Sequence, residues 1–209
     1  MLLAVIINEM VHFNNGFRSI IYLPAVIPGI AAMLMWSYVY YPDQTGLLNV
    51  ILMKLGLEPY TWLTNPNFAI PGIVIYCTWK AFPGTMLLYY ASIQSVSTEL
   101  YEAAIIDGAG MLNRAWNVTR PQIAGTLLLC LVNQIIAVFQ IMQEPLAMTG
   151  GGPNGASISL GYQLYKYGFA SGGKATGQAM ALGVIIFLIL LVLTIFYFRL
   201  NKKVEDNAY

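Results

Sequence analysis

The stretch from Leu182 to Phe198 constrains this chain most strongly, because it contains no charged side chain. It is composed mainly of Leu, Ile, Val and Phe, each of which favours bilayer insertion by about 0.3 to 0.6 kcal/mol. The surrounding block, residues 177–198, is long enough to cross the hydrocarbon core, which takes about 20 residues. The sequence therefore predicts a transmembrane helix here.

The rest of the chain has the composition of a membrane protein. It is 58% hydrophobic and 9% charged, whereas about a quarter of the residues in a soluble domain are charged. Three more apolar blocks, residues 17–41, 68–90 and 122–143, have spanning length. We therefore expect an all-α, polytopic transmembrane helical bundle with about four full spans. Prolines 24, 28, 71 and 83 should kink the first two spans.

The basic residues predict the orientation. If the spans alternate, one side carries Arg18, Arg114, Arg120, Arg199, Lys202 and Lys203, and the other carries Lys54, Lys166 and Lys174. By the positive-inside rule the first group is cytoplasmic. The loop 92–121 then faces the cytoplasm, and the loops 42–67 and 144–176 face outward.

Residues 1–16 are expected to form a partial helix followed by a cytoplasmic loop, before a transmembrane domain of residues 17–209. The segment from Met1 to Ile7 is apolar but too short to span, and no basic residue precedes it as in a signal peptide. It is either an interfacial segment or the end of a spanning helix that begins before this sequence. The second interpretation is favoured, because Asn8 to Arg18 then becomes a natural cytoplasmic loop.

Several functional classes find no support in the residues. The net charge is +1 without a basic stripe, so no nucleic-acid partner is expected. Cys77 and Cys130 lie in apolar blocks without metal-ligand spacing. Gly150, Gly152 and Gly155 match a dinucleotide pattern, but a predicted span precedes them instead of a strand. We expect no cofactor to be bound by this chain.

The cytoplasmic loop contains a helix, a glycine turn and a second helical stretch. Ser97 or Thr98 can cap the first helix, and Gly108 and Gly110 can end it. The second stretch covers residues 111–118. The pattern predicts a compact element on the cytoplasmic surface.

Small side chains give this first helix a smooth face. Ala103 and Ala104 can lie in a groove of another protein, and Glu102 and Asp107 can orient the helix there. The same residues also suit a solvated connector, so both interpretations remain open.

These residues resemble the cytoplasmic signature of the inner-membrane components of binding-protein-dependent ABC importers. That signature reads Glu-Ala-Ala, then Gly, then Ile-x-Leu-Pro at fixed spacings. The chain has Glu102-Ala103-Ala104, Gly108 and Val118-Thr119-Arg120-Pro121, so Arg120 stands in place of the leucine. Further segments resemble the carbohydrate-type permeases of the maltose and glycerol-phosphate uptake group: Arg18 to Pro24, Gly46 to Asn49, Trp79-Lys80, Thr149 to Pro153 and the final span.

The resemblance implies the fold of a type I ABC importer permease in a bacterial cytoplasmic membrane. It implies that Glu102, Ala103, Ala104, Asp107 and Gly108 couple the chain to ATP-binding cassette ATPase subunits, which use ATP and Mg²⁺. The other implied partners are a second homologous permease subunit, an extracytoplasmic solute-binding protein and a sugar-like solute. The chain itself is then not an enzyme.

Polar residues within the spans are candidates for the substrate path. Asn133, Gln140 and Glu144 are separated by seven and four residues, which places them on one helical face. Polar side chains facing lipid are costly, so we expect this face to point toward other helices or a cavity. Its amides can hydrogen-bond either sugar hydroxyls or neighbouring helices. Lys80 lies mid-span, where a charge costs about 2.5 to 3.5 kcal/mol, and it suits a polar interior site or snorkelling.

The leading functional hypothesis is a pore-forming permease subunit of an ATP-binding cassette importer for a sugar or a related small polar solute. Alternating access is then driven by partner ATPase subunits. The alternative is a self-sufficient secondary transporter or channel. Such a protein moves solute without ATP and often shows internal repeats, which are not visible in this sequence.

Overall fold

The structure is a computed structural model that describes residues 4–5 and 14–206, with side chains at 4–5 and 20–202. It is 77% helix, with no strand in the described part, which confirms the all-α expectation. The α-helices are Asn14–Val26, Gly29–Val39, Leu47–Lys54, Pro66–Gln94, Thr98–Ile106, Met111–Arg114, Arg120–Gln122, Ala124–Gln140, Leu160–Tyr165 and Thr176–Asp206. A 3₁₀ turn covers Trp62–Thr64, and π-helical turns cover Ala115–Thr119, Pro145–Thr149 and Lys166–Ala170.

The expected partial helix and loop of residues 1–16 lie mostly outside the described residues. Ala4 and Val5 are helical and buried, and residues 14–16 belong to a helix.

Among the described residues, one helix is by itself long and apolar enough to cross a bilayer. It covers Thr176–Lys202, 27 residues with a mean hydropathy of 3.1, and agrees with the predicted span 177–198. The second expected span lies within Pro66–Gln94, whose 29 residues suffice in length but not in apolar character. Pro71 and Pro83 are accommodated within this continuous helix and do not end it.

The first and third expected spans are each broken into two helices. Ile20–Val26 and Gly29–Val39 are bent by 109°, and Met111–Gln122 and Ala124–Gln140 by 78°. Each pair is long and apolar enough only when its two parts are taken together, as a broken span or a re-entrant segment. By length and composition, the described residues therefore hold one to three spans, where the sequence predicted four.

The chain divides into two compact units. Of the described residues, the first holds 4–5, 14–23, 81–135 and 191–206. Its buried core is formed by Ala4, Val5, Met86, Tyr90, Ile93, Ala115 and Ile123. Within this unit, the Ser92 hydroxyl donates to Thr126 Oγ1 at 2.9 Å, which pairs two half-buried hydroxyls.

The second unit comprises residues 24–80 and 136–190 and has an aromatic core. Its buried residues are Ala32, Met33, Tyr40, Leu63, Ile73, Tyr76 and Met148. Rings of Trp36, Tyr40, Tyr60, Trp62, Phe68, Tyr76 and Trp79 form a continuous series. The centroid of the Trp62 ring lies 5.1 Å from that of Phe68, in an edge-on contact. Such contacts add about 0.5 to 1.5 kcal/mol per pair beyond area burial.

A fully buried asparagine organises the segment between this unit's helices. Asn49 Nδ2 shares its two hydrogens among the carbonyls of residues 41, 42, 43 and 60, at 3.0 to 3.3 Å. Its Oδ1 accepts from Tyr60 N at 2.9 Å and from Trp62 Nε1 at 2.7 Å. Gly46 opens the same helix, where a Cβ would lie 2.1 Å from the Tyr41 carbonyl oxygen. The absence of a side chain at Gly46 therefore lets the start of the helix approach the Tyr41 carbonyl, and the hydrogen bonds of Asn49 stabilise that approach.

Replacing Asn49 with Ala should lower the free energy of unfolding by at least about 2 kcal/mol, because buried donors and acceptors lose their partners. Chemical denaturation of the detergent-solubilised chain, followed by circular dichroism, measures this. Asn67→Ala is the matched control, since Asn67 is exposed and only its backbone N–H is hydrogen-bonded. Equal losses in the two variants would contradict the assigned role.

Candidate functional site

The predicted coupling helix is present and covers Thr98–Ile106. Its cap is Ser97, whose side chain accepts a hydrogen bond from Glu99 N at 3.3 Å. Glu99 also places a negative charge in the first turn, beside the positive end of the helix dipole. The sequence prediction of the helix start is therefore confirmed. Below, the term coupling helix refers to Thr98–Ile106.

The coupling helix ends in a glycine turn of the Schellman type. Gly108 has φ +76°, a conformation that residues with a Cβ rarely adopt. Its N–H donates to the Ile105 carbonyl, and Ala109 N–H donates to the Ala104 carbonyl, each at 2.9 Å. These two bonds satisfy carbonyls that the helix leaves open. Gly110 instead has φ −66° and lies outside the motif.

No side chain of the coupling helix is buried within the described chain. Of the candidate coupling residues, Glu102, Ala103, Asp107 and Gly108 are exposed, and Ala104 is half-buried. Ile106, 86% exposed, adds a large apolar side chain to the same surface. A helix normally gains its stability from burying an apolar face, whereas this one leaves its apolar side chains exposed.

Hydrogen bonds to the returning chain hold the coupling helix in place. Tyr101 Oη lies 3.0 Å from Oγ1 of the buried Thr119, and either hydroxyl can be the donor. Arg114 Nη1 donates to the Ala109 carbonyl at 3.0 Å, at the glycine turn. The helix is therefore attached at its middle, and the glycine turn that follows it is attached as well.

Sequence reasoning did not identify Tyr101, Arg114 and Thr119 as parts of this site. Thr119 occupies the variable position of the Ile-x-Leu-Pro element, so the motif gives no hint of it. The signal in the sequence was the hydroxyl of Thr119, which lies directly after the predicted helical stretch of residues 111–118.

The structure places the substrate-path candidates on different elements. Asn133 and Gln140 lie exposed on Ala124–Gln140, and Asn133 Nδ2 donates to the Leu129 carbonyl of its own helix at 3.0 Å. The helix ends at Gln140, and Glu144 follows a break at residues 141–142. The expected helical face therefore does not extend to Glu144.

A proline explains this break. Pro145 has no N–H, so the Ile141 carbonyl lacks its helical donor four residues later. The Ser159 hydroxyl donates to that carbonyl instead. Gly161 packs against the same helix end, where a Cβ would lie 2.8 Å from the Gln140 carbonyl oxygen. A distant segment thus completes the end of this helix.

Lys80 contacts a second break of the same kind. Its ammonium donates to the carbonyls of Pro24 at 2.7 Å and of Ala25 at 3.5 Å, and also to that of Ile27. These carbonyls lie at the end of Asn14–Val26, the negative end of the helix dipole. The ammonium of the half-buried Lys80 is therefore hydrogen-bonded to backbone carbonyls of its own unit.

Pro28 is the chemical reason for this arrangement. It lacks the N–H that would pair with the Pro24 carbonyl, which is left for Lys80. Tyr76, one helical turn before Lys80, donates its hydroxyl to the Gly29 carbonyl at 3.3 Å. One face of Pro66–Gln94 thus supplies the donors that the break requires, and Lys80 has a structural role that the sequence did not predict.

Changing Gly108 to Ala should weaken the end of the coupling helix by about 1 kcal/mol, the cost of a left-handed conformation with a Cβ. Hydrogen exchange at the Ala109 amide should then rise about fivefold. The control is Gly110→Ala, because Gly110 has an ordinary φ and its Cβ would meet nothing within 4 Å. Unchanged exchange in the Gly108 variant would rule out the assigned turn.

Changing Lys80 to Met should destabilise the chain by about 3 kcal/mol, because carbonyls in an apolar environment lose a charged donor. Thr78→Val on the same helix is the control, since its hydroxyl bonds only within that helix. Pro28→Ala restores an N–H for the Pro24 carbonyl, so Lys80→Met should cost less in that background. If the effects of Lys80→Met and Pro28→Ala on the free energy of unfolding simply add in the double variant, the assigned link between Lys80 and the break at Pro28 is wrong.

Comparisons with known proteins cover nearly the whole chain. The family model for binding-protein-dependent transport system inner membrane components matches residues 1–206. The trehalose/maltose transport system permease protein MalF of Thermococcus litoralis is 33% identical over 203 residues, covering 97% of this chain and 68% of that protein. The sn-glycerol-3-phosphate transport system permease protein UgpA of Yersinia pestis is 34% identical over 205 residues, covering 96% and 67%.

A solved structure shares the fold. It is the crystal structure of a bacterial ABC transporter involved in the import of the acidic polysaccharide alginate, with a TM-score of 0.87 and 25% identity. The match covers 97% of this chain and 71% of the other. The same transporter was also solved in complex with an alginate pentasaccharide-bound periplasmic protein, again with a TM-score of 0.87. From the family match and these relatives, the chain belongs to the binding-protein-dependent transport system inner membrane components.

Proposed function

We propose that this chain is the pore-forming permease subunit of an ATP-binding cassette importer that carries a sugar or a related small polar solute across the cytoplasmic membrane. The names of its relatives support the solute class, since they refer to trehalose and maltose, glycerol phosphate and alginate. ATP hydrolysis belongs to separate ATPase subunits, so this chain is not the enzyme. A second permease subunit completes the pore, and a solute-binding protein delivers the solute.

The exposed coupling helix is the observation that carries this proposal. It is capped, closed by a glycine turn and tied to the returning chain, yet it buries none of its side chains. Ala103 and Ile106 provide small and large apolar contacts, and Glu102 and Asp107 provide charge. A well-ordered helix with this surface fits a groove in a partner, here the ATPase subunit.

The mechanism follows from that contact. Closure of an ATPase dimer on ATP displaces the coupling helix, and the helices attached to it shift the pore between inward-facing and outward-facing states. Asn133 and Gln140 offer exposed amides on the helix that follows the coupling loop. These amides can exchange hydrogen bonds with solute hydroxyls along the path.

The coupling contact can be tested with Ile106→Asp in proteoliposomes containing the importer, its ATPase subunits and its binding protein. The change should leave the fold intact, because the side chain is 86% exposed, and should reduce ATP-driven uptake at least about tenfold. Leu55→Asp is the matched control: it is 70% exposed and lies in the predicted outward-facing loop. Radiolabelled solute uptake and co-purification of the ATPase report the result.

Two outcomes would contradict the proposal. One is normal uptake and ATPase binding by the Ile106 variant. The other is solute uptake by vesicles that contain this chain without ATP or ATPase subunits, which is the behaviour of a self-sufficient transporter.

A further inference from the structure

A groove lies beside the start of Ala124–Gln140, within the first unit. Its volume is about 510 Å³, and its walls include Trp116, Asn117, Arg120, Ala124, Leu127 and Leu128. Small-molecule sites typically have volumes of about 300 to 1,000 Å³. The groove is therefore large enough for a ligand of moderate size.

One end of the groove is positively charged. The Arg120 guanidinium lies over the Trp116 ring, 4.4 Å from its centroid, and both side chains are exposed. A cation within about 6 Å of a ring face is attracted to it, so the tryptophan holds the guanidinium in place. No acidic side chain in the described part of the chain pairs with Arg120. Its hydrogen-bond donors are thus available to an anion.

The other end of the groove is apolar. Ala124, Leu127 and Leu128 are half-buried, and the two leucines follow Ala124 at helical intervals of three and four residues. Ala124 is small, which leaves room between the charged end and the leucines. A ligand that fills the groove must therefore combine an anionic head with a hydrocarbon tail.

We propose that this groove binds an anionic phospholipid of the cytoplasmic leaflet. The phosphate lies on the Arg120 guanidinium, whose fork of N–H donors matches phosphate oxygens, and an acyl chain lies against Leu127 and Leu128. Tryptophan prefers the interface between membrane and water, and basic residues prefer the cytoplasmic side, which places Trp116 and Arg120 at the headgroup level.

A lipid fits this site better than a protein partner for a chemical reason. The apolar wall lies within a helix pair that is apolar enough to enter the membrane, where a lipid chain is the immediate neighbour. Arg120 also stands where the signature that the loop resembles has leucine. Leucine offers no donor to a phosphate.

The proposal can be tested by native mass spectrometry of the full chain with phosphatidylglycerol and phosphatidylcholine of identical acyl chains. Phosphatidylglycerol should be preferred, and Arg120→Leu should reduce that preference about fivefold, the factor expected for one basic residue at a membrane surface. Arg120→Lys keeps the charge and should retain most of the preference. Lys54→Leu is the control, because Lys54 lies in the predicted outward-facing loop and does not line the groove, and should stay near the wild-type ratio.

A second measurement locates the bound lipid. Phosphatidylglycerol with brominated acyl chains should quench Trp116 fluorescence, measured as the difference between the wild type and Trp116→Phe. Unchanged lipid preference in Arg120→Leu, or absence of this quenching, overturns the proposal. Loss of quenching when the ATPase subunits are added also overturns it, because the groove then belongs to a protein interface.

Discussion

Backbone carbonyls freed by proline are the constraint on which the second unit depends. Pro28 leaves the Pro24 carbonyl without a helical donor, and Pro145 does the same for Ile141. Lys80 donates to the first of these carbonyls and Ser159 to the second, each from a distant part of the chain. Inside a bilayer water cannot replace such a donor, and each unpaired group costs several kcal/mol. The breaks and their side-chain donors therefore have to be formed together.

Lys80 and Asn49 both hydrogen-bond irregular backbone, but with different chemical groups. The lysine brings three donors and a positive charge to the negative end of a helix. Asn49 has both donors and an acceptor, which suits a turn where carbonyls and N–H groups alternate. In both cases a single polar side chain holds backbone segments that have no regular hydrogen bonding.

Local chemistry made part of this structure predictable. The cap at Ser97 and the glycine turn at Gly108 depend on residues within one helical turn, and both are present. The kink at Pro28 follows from a missing N–H, but its donor at Lys80 is 56 residues from Pro24, beyond any local pattern. The prediction for Glu144 was wrong for a different reason. Helical spacing places Glu144 on the face of Gln140 only if the helix continues to residue 144. Pro145, together with Ser159 and Gly161, ends the helix before that point. The Tyr101–Thr119 contact likewise depends on how the chain returns.

The attachment of the coupling helix has a mechanical consequence. Bonds from Tyr101 to Thr119 and from Arg114 to Ala109 tie the helix to the segment that leads into Ala124–Gln140. The exposed Ile106 and the segment before Ala124–Gln140 therefore belong to one hydrogen-bonded element. If a partner displaces the helix as proposed, the displacement reaches the following segment through these side chains as well as through the backbone of the turn.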